Sequence, residues 1–211
     1  MAGASDNVIE QKDYSKFRIS AGMGGGYRID KVSDRLSPGE KDHVKKMKWG
    51  MNVEIDGEYY VSESIGIGFA SSWFRSAATL TVNESGISSS IKDRINLFYL
   101  VPKIIFGGYK DQGWFVNASL GYLGYYQKLK GEKSSNKLTG GTLGGVYGFG
   151  YNISMTESIS LFFKLSFTSG VLSKLTLTTG NSKKETIDFP KDEKEGLNRI
   201  SLTVGVRFKS R

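Results

Sequence analysis

Residues 47–56 read MKWGMNVEID, and every second residue in this stretch is large and apolar. The residues between them are lysine, glycine, asparagine, glutamate and aspartate. A repeat of two residues separates side chains onto the two faces of a β-strand, whereas an amphipathic α-helix repeats every 3.6 residues. The stretch therefore predicts a strand with one apolar face and one polar face.

Seven further segments alternate in the same way. They are residues 16–29, 64–75, 91–106, 114–128, 139–153, 159–171 and 199–208. The links between successive segments are alternately long and short, and the long links are polar. Eight antiparallel strands, each joined to its neighbour, close into a barrel that has no exposed edge. The sequence thus predicts an all-β fold, an eight-stranded antiparallel up-and-down β-barrel.

The composition of the two strand faces indicates which face meets lipid. Gly, Ala, Ser, Thr and Asn dominate the polar face, which has few of the charges that cover a solvated face. The other face carries rows of bulky side chains, such as Ile159, Leu161 and Phe163, which could not converge inside so narrow a barrel. An apolar exterior around a polar interior predicts a transmembrane barrel. The alternative is a soluble lipocalin-type barrel whose apolar face lines a ligand cavity.

The polar faces of the strands also predict a charged interior. In residues 91–106, the alternation assigns Ile95, Leu97 and Tyr99 to the exterior and Arg94 to the interior. The predicted interior network consists of Arg18, Arg28, Lys48, Asn52, Glu54, Asp56, Arg94, Lys164, Arg199 and Arg207. Buried charges must be paired and hydrogen-bonded, so we interpret this network as a structural plug. A narrow pore with a basic lumen is the alternative.

Aromatic residues gather near the predicted strand ends. In membrane barrels such rings lie at the level of the lipid headgroups and form girdles at both interfaces. General enrichment of aromatic residues in strands is the alternative explanation. The predicted interfacial residues are Trp49, Tyr59, Tyr60, Trp73, Tyr109, Trp114, Tyr125, Tyr126 and Phe208.

The composition excludes several classes of function. The chain of 211 residues contains no cysteine, which rules out disulfide scaffolds, cysteine metal sites and thiol nucleophiles. No apolar run is long enough for a membrane helix, so a helical membrane bundle is excluded. The formal net charge of +8 is a modest basic excess, and we expect no nucleic-acid partner, metal or cofactor.

Three long links are the expected sites of partner binding, because loops on a rigid scaffold commonly carry function. They are residues 30–46, 77–90 and 175–196. Strand-like residues at 79–82, and at 175–178 opposite 186–189, predict hairpins that project beyond the membrane.

His43 is the single histidine of the chain and lies in the first long link, near Ser33 and Ser37 in sequence. A histidine and a serine on the outer side could form a lipid-modifying site. However, no strained nucleophile motif or third orienting group accompanies them. We therefore expect His43 to be exposed to solvent and the protein not to be an enzyme.

The chain resembles a known family in three features. They are the alternation, the contrast between short turns and long loops, and the terminal strand 198–208. Together they resemble the small eight-stranded outer-membrane barrels of Gram-negative bacteria, the OmpA/OmpX type. The resemblance implies a monomer in the lipid of the bacterial outer membrane, with short periplasmic turns and long extracellular loops. Residues 1–15 would form a periplasmic tail and residues 16–211 a single barrel domain. The expected role is structural, or one of surface interaction through the extracellular loops.

Overall fold

The computed structural model describes residues 16–32, 36–84, 87–108, 112–131, 135–180, 183–189 and 195–210. The predicted tail, residues 1–15, lies outside the described residues. The elements are β1 (Phe17–Arg28), α1 (Pro38–Lys46), β2 (Trp49–Tyr60), β3 (Ile65–Glu84), β4 (Ile87–Gly107), β5 (Gly113–Lys130), β6 (Ser135–Ser154), β7 (Ile159–Leu172), β8 (Lys174–Thr179), β9 (Lys183–Asp188), β10 (Glu195–Gly196) and β11 (Arg199–Lys209).

Eight of these strands close into an antiparallel barrel. Strands β1 to β7 pair in chain order, and β11 pairs with β7 on one side and with β1 on the other. The pairing Ile19↔Phe208 joins the first strand to the last, so the barrel has no edge. The predicted eight-stranded up-and-down barrel is therefore confirmed.

The two ends of the barrel differ in their connections. At one end, which we call the turn end, short links join β2 to β3, β4 to β5 and β6 to β7, and both β1 and β11 have their outer termini there. At the other end, which we call the hairpin end, β3 and β4 continue well past the barrel wall, and β8 extends the sheet by pairing with β6. Residues 79–84 are strand in β3 and residues 87–90 are strand in β4, so most of the predicted link 77–90 is a hairpin.

A short helix, α1, lies in the first long link. Ser37 caps its N-terminus, and the Ser37 hydroxyl accepts from the backbone N–H of Glu40 at 3.4 Å. The Glu40 carboxylate accepts in return from the backbone N–H of Ser37 at 2.9 Å. This reciprocal capping box, with Pro38 in the first turn, explains why a helix starts at this position.

The distribution of apolar residues is inverted with respect to a water-soluble protein. Among the described residues, 35 large hydrophobic residues are exposed, whereas 17 hydrophobic residues are buried. Exposed residues such as Leu143, Leu120 and Leu100 lie on the outer wall, and buried charges lie inside. So large an apolar exterior belongs in lipid, which makes this a transmembrane barrel and overturns the soluble alternative.

Among the described residues, no helix has the length and apolar character needed to cross a membrane.

Glycines on the inner face let the wall approach large side chains. A Cβ on Gly24 would lie 1.8 Å from the carbonyl oxygen of Leu202 on the neighbouring strand, so this position accepts no side chain without a backbone shift. Gly50 leaves room for the ring of Phe74 in the same way. The narrow lumen is therefore filled by a few large residues opposite glycines.

Candidate functional site

A chain of buried ion pairs crosses the barrel interior on the side of the turn end. Lys103 Nζ lies 3.0 Å from Asp56 Oδ2 and 2.7 Å from Glu58 Oε1. Lys164 Nζ lies 3.2 Å from Asp56 Oδ2 and also pairs with Glu54. We call this cluster, with Arg207, the ionic half of the interior.

The strand geometry of β2 places the three carboxylates in one row. Glu54, Asp56 and Glu58 are each two residues apart, so their side chains point to the same face. The lysines arrive from β4 and β7, which lie on other sides of the barrel. The ion pairs therefore brace the wall from inside, and each lysine serves two carboxylates.

The turn end is closed by arginine and aromatic side chains. The Arg207 guanidinium lies 4.7 Å from the centroid of the Phe115 ring, and it donates to Glu58 at 3.2 Å and to Asn152 at 3.1 Å. Arg18 lies 4.7 Å from the centroid of Tyr60 and donates to the carbonyl of Gly108. These stacked cations cover the ionic half from below.

The interior towards the hairpin end is apolar instead. We call it the apolar half, and its buried residues are Met47, Ala70, Phe74, Ile95, Leu97, Tyr99, Val101, Leu123, Tyr125, Val146, Leu172, Leu175 and Leu197. Arg199 marks the boundary, since its guanidinium lies 4.7 Å from the centroid of Phe74 and it donates to Ser72 at 3.4 Å. A cavity of about 10 Å³ beside Leu97 and Arg199 has room for about one water molecule.

His43 connects α1 to the mouth of the barrel. Its Nε2 lies 3.2 Å from Asp93 Oδ2, and Gln127 Nε2 donates to both Asp93 oxygens at 2.9 Å. The His43 side chain is only 10% exposed, so the expectation that it is exposed to solvent is wrong. Among the described residues, no hydroxyl group is hydrogen-bonded to His43, and Ser37 is engaged in the helix cap. Ser33 lies outside the described residues. Among the residues that the structure describes, the arrangement can hold α1 in place but offers His43 no nucleophile.

The predicted interior residues fall into three groups. Buried inside the barrel are Arg18, Asn52, Glu54, Asp56, Lys164, Arg199 and Arg207. Arg28 is buried at the hairpin end, where it pairs with Glu195 at 2.5 Å. Lys48 is half-buried at the rim and donates to the carbonyl of Asp30 at 2.6 Å, apart from the ionic half.

Arg94 is exposed, so the prediction that it lies in the interior is wrong. On β4 the assignment of the two faces was reversed: Leu97 and Tyr99 are buried inside, whereas Phe98 and Leu100 are exposed outside. The reason is that β4 passes through the apolar half, where inward residues are as apolar as outward ones. Alternation then carries no information on direction.

Two residues of the ionic half were missed from the sequence. Lys103 was lost through the reversed faces of β4, and Glu58 through ending the second segment at residue 56. A signal for Lys103 was present, because a lysine facing lipid near the bilayer centre costs about 2–4 kcal/mol and favours the inward face. A signal for Glu58 was also present, because the spacing of two residues between Glu54 and Asp56 continues to Glu58.

The predicted interfacial aromatic residues do not all face lipid. Exposed on the outer wall are Trp49, Tyr59, Trp73, Trp114 and Phe208. Tyr126 is half-buried, and Tyr109 lies outside the described residues. The prediction is wrong for Tyr60 and Tyr125, which are buried inside the barrel with exposures of 1% and 4%. Each inward hydroxyl has a partner: Tyr60 donates to Gly107 at 3.1 Å and Tyr125 to Gln127 at 2.7 Å.

Among the described residues, no group of three histidine, aspartate or glutamate side chains is arranged to hold a metal ion.

Comparison with known proteins finds solved structures of similar fold. The sequence matches no family model and no curated protein. A major outer membrane protein from Thermus thermophilus superposes with a TM-score of 0.63 at 11% identity, over 93% of this chain and 99% of that chain. Neisserial surface protein A aligns over 94% of this chain and 100% of that chain, with a TM-score of 0.49 and 14% identity. Ail of Yersinia pestis aligns over 93% and 100%, with a TM-score of 0.47 and 13% identity.

The superposition on the Thermus protein covers nearly the whole of both chains and agrees with the closed barrel and its apolar exterior. At 11% identity this likeness concerns the fold. The chain therefore has the fold of the small eight-stranded transmembrane β-barrels of bacterial outer membranes.

Proposed function

We propose that this protein is a non-enzymatic, monomeric component of a bacterial outer membrane that presents a rigid β-sheet at the cell surface. Its role is then structural or one of adhesion and complex formation. The turn end, with the tail of residues 1–15, faces the periplasm, and the hairpin end faces outwards.

The observation that carries this proposal is the extension of the sheet beyond the barrel. The β3–β4 hairpin continues through the pairing Glu84↔Ile87, and the β8–β9 hairpin docks on β6 through Leu138↔Leu177. The buried side chains of the apolar half fill the interior below this extension. These features support a scaffold for a surface over a conduit.

The edge strand β9 is the best-placed contact for a protein partner. Within the described residues, β9 pairs with β8 alone. Phe189 donates its backbone N–H to Ser173 at 2.8 Å, and antiparallel pairs alternate, so the N–H of Thr186 points to the free edge. A partner strand could add there through main-chain hydrogen bonds.

Thr186→Pro tests this contact. Proline removes an N–H that β8 does not use, so the hairpin should persist while strand addition is blocked. Bacteria displaying the wild-type barrel, Thr186→Pro or the matched side-chain control Thr186→Val would be applied to a panel of purified secreted and envelope proteins. We expect at least one protein to retain wild-type and Thr186→Val cells and to release Thr186→Pro cells. Equal retention of all three strains on every protein would refute binding through β9.

A narrow pore is the second candidate, and one observation favours it. Inside the barrel, the buried cations Lys103, Lys164, Arg199 and Arg207 outnumber the buried carboxylates of Glu54, Asp56 and Glu58 among the described residues. Planar-bilayer recordings distinguish the two functions. A plugged scaffold gives no discrete conductance steps, whereas anion-selective steps that change in Lys164→Met would establish the pore.

A further inference from the structure

A compact group of cations lies on the outer wall just beyond the lipid-facing band. Arg94 stands directly opposite Lys128 across the β4–β5 pair, and Lys92 stands opposite Lys130. Directly opposite residues in a sheet have their side chains about 5 Å apart on the same face. Lys137 on β6 extends the row beside Lys128. Five cations thus share one face of three strands.

This group borders a hollow of about 360 Å³ in the wall. The small residues Ala77 and Thr79 on β3 face Arg94 and Lys92, and they leave the space that the cations surround. The hollow also reaches Asp93, but Gln127 and His43 hold this carboxylate on the inner side. Among the described residues, no carboxylate forms an ion pair with the five cations.

The position of the group relative to the membrane indicates its ligand. Arg94 lies four residues beyond the exposed Phe98 on the same face of β4, about 13 Å along a tilted strand at 3.3 Å per residue. Lys128 follows Tyr126, which lies on the same face of β5 as the exposed Tyr122. The cations therefore point sideways, at or just above the level of the lipid headgroups, rather than upwards into the medium.

The opposite wall of the barrel has a different rim. Trp49 on β2 and Ile200 on β11 lie towards the hairpin end there, and both are exposed and apolar. Among the described strands, the outward-facing cations at this end are therefore concentrated on the side of β4, β5 and β6, and the lysines of α1 form a separate group. General attraction to an anionic surface would not require this one-sided arrangement.

We propose that the cluster of Lys92, Arg94, Lys128, Lys130 and Lys137 binds the headgroup of an outer-leaflet lipid that carries at least two phosphates. Two rows of cations about two residues apart suit two phosphate groups, and the hollow beside Ala77 accepts part of the headgroup. The site would order a shell of anionic lipid along one side of the barrel. It is separate from edge strand β9, so it does not depend on partner binding.

The test uses Trp73 as the reporter, an exposed residue on β3 that stands opposite Phe98, on the membrane side of the cluster. A background variant, Trp49→Phe with Trp114→Phe, leaves Trp73 as the single tryptophan. The barrel is placed in phosphatidylcholine nanodiscs that contain a small fraction of spin-labelled diphosphoryl lipid A. Quenching of Trp73 then gives the preference for lipid A over phosphatidylcholine.

We expect Arg94→Gln with Lys128→Gln to weaken this preference about 25-fold, since each cation near an anionic surface contributes about a fivefold effect. The matched control, Lys45→Gln with Lys46→Gln on α1, removes the same charge from the same end of the protein and should leave the preference unchanged. Arg94→Lys, which keeps the charge, should retain most of the preference for lipid A. A heat-modifiable band on a gel verifies that each variant is folded.

Three results would overturn the proposal. The first is an unchanged preference in the Arg94 and Lys128 double variant, and the second is an equal loss in the α1 control. The third is displacement of lipid A by soluble dextran sulfate or inorganic phosphate at matched anion concentration, which would assign the cluster to a soluble anion.

Discussion

The ionic half and the apolar half of the barrel interior solve the same packing problem in two ways. In the ionic half, Asp56 and Glu58 are each held by cations from other strands. In the apolar half, the space is filled by shape, as where Leu123 packs so closely against Gly144 and Gly170 that an added Cβ at either position would lie 2.3 Å or 2.6 Å from its side chain. An ion pair requires both partners, whereas an apolar contact tolerates a substitute of similar volume. The two halves should therefore respond differently to the same replacement residue.

Replacement by methionine should lower the free energy of unfolding most in the ionic half. Lys164→Met keeps much of the side-chain length but leaves Glu54 and Asp56 buried with one cation fewer. Because an uncompensated buried charge is costly, the free energy of unfolding should fall by about 3–5 kcal/mol. Urea titration of the barrel in lipid vesicles, followed by tryptophan fluorescence, measures this change. A loss below about 1 kcal/mol would mean that water hydrates the carboxylates and that the interior is not a dry plug.

The same replacement should be mild in the apolar half. Leu123 is 3% exposed, and Leu123→Met conserves volume, so the loss should stay under about 1.5 kcal/mol. Leu123→Ala leaves a cavity instead and should lower the free energy of unfolding by about 3 kcal/mol. The same urea titration applies. If Leu123→Met were as damaging as Lys164→Met, the distinction between the halves would not hold.

Helix α1 is followed directly by its C-cap residue Met47, which belongs to the apolar half, and the attachment of the helix should be sensitive to His43. His43→Ala removes the contact with Asp93, while Met47 still packs inside and its carbonyl still accepts from Ser76 at 2.7 Å. A hydrogen bond to a charged group contributes about 1.5–3 kcal/mol, so local opening of α1 should become at least about tenfold more frequent. Amide hydrogen exchange of residues 38–46 reports this opening. Lys46→Ala, on the exposed side of the same helix, should leave the exchange rates nearly unchanged.

The smallest effect is expected at the start of α1, from pH. Hydrogen bonds from Ser37 hold the pKa of the Glu40 carboxyl below its usual value. Because the pKa in the folded state is lowered, the contribution of Glu40 is present at neutral pH and is lost as the pH falls through that lowered pKa. Amide exchange of α1 should therefore quicken in acid. Glu40→Gln should abolish this part of the pH dependence, and a slope that persists in this variant would assign it to another group.

The contrast between the halves also explains where sequence analysis succeeded. In β2, the carboxylates of the ionic half alternate with Val53 and Ile55, so the sequence alone shows which face is turned inwards. In β4, the inward Leu97 and the outward Phe98 are both apolar. The pattern therefore does not show which face of β4 is turned inwards. Because the two faces were assigned the wrong way round, Arg94 was placed in the interior and Lys103 was left out of it.

Helix α1 was not predicted, although its signal is local. The residues Ser37, Pro38 and Glu40 have the spacing of a capping box with proline in the first turn. The helix has no apolar face, and none of its residues is buried, so periodicity could not indicate it. The contact between His43 and Asp93 spans 50 residues of sequence and depends on where the long β3–β4 hairpin places Asp93.

The sequence by itself determined the strand number, the barrel and, apart from the buried Met47, the lipid-facing set on seven of its eight strands. It could do so because lipid selects large apolar residues at every second position of a strand, and this selection is local. Only the tertiary structure decided that Lys103 and Lys164 share the carboxylates of β2, that Tyr60 and Tyr125 point inwards, and that five cations gather on one wall. These facts depend on strand register and barrel closure, which place residues far apart in the chain within a few ångströms of each other.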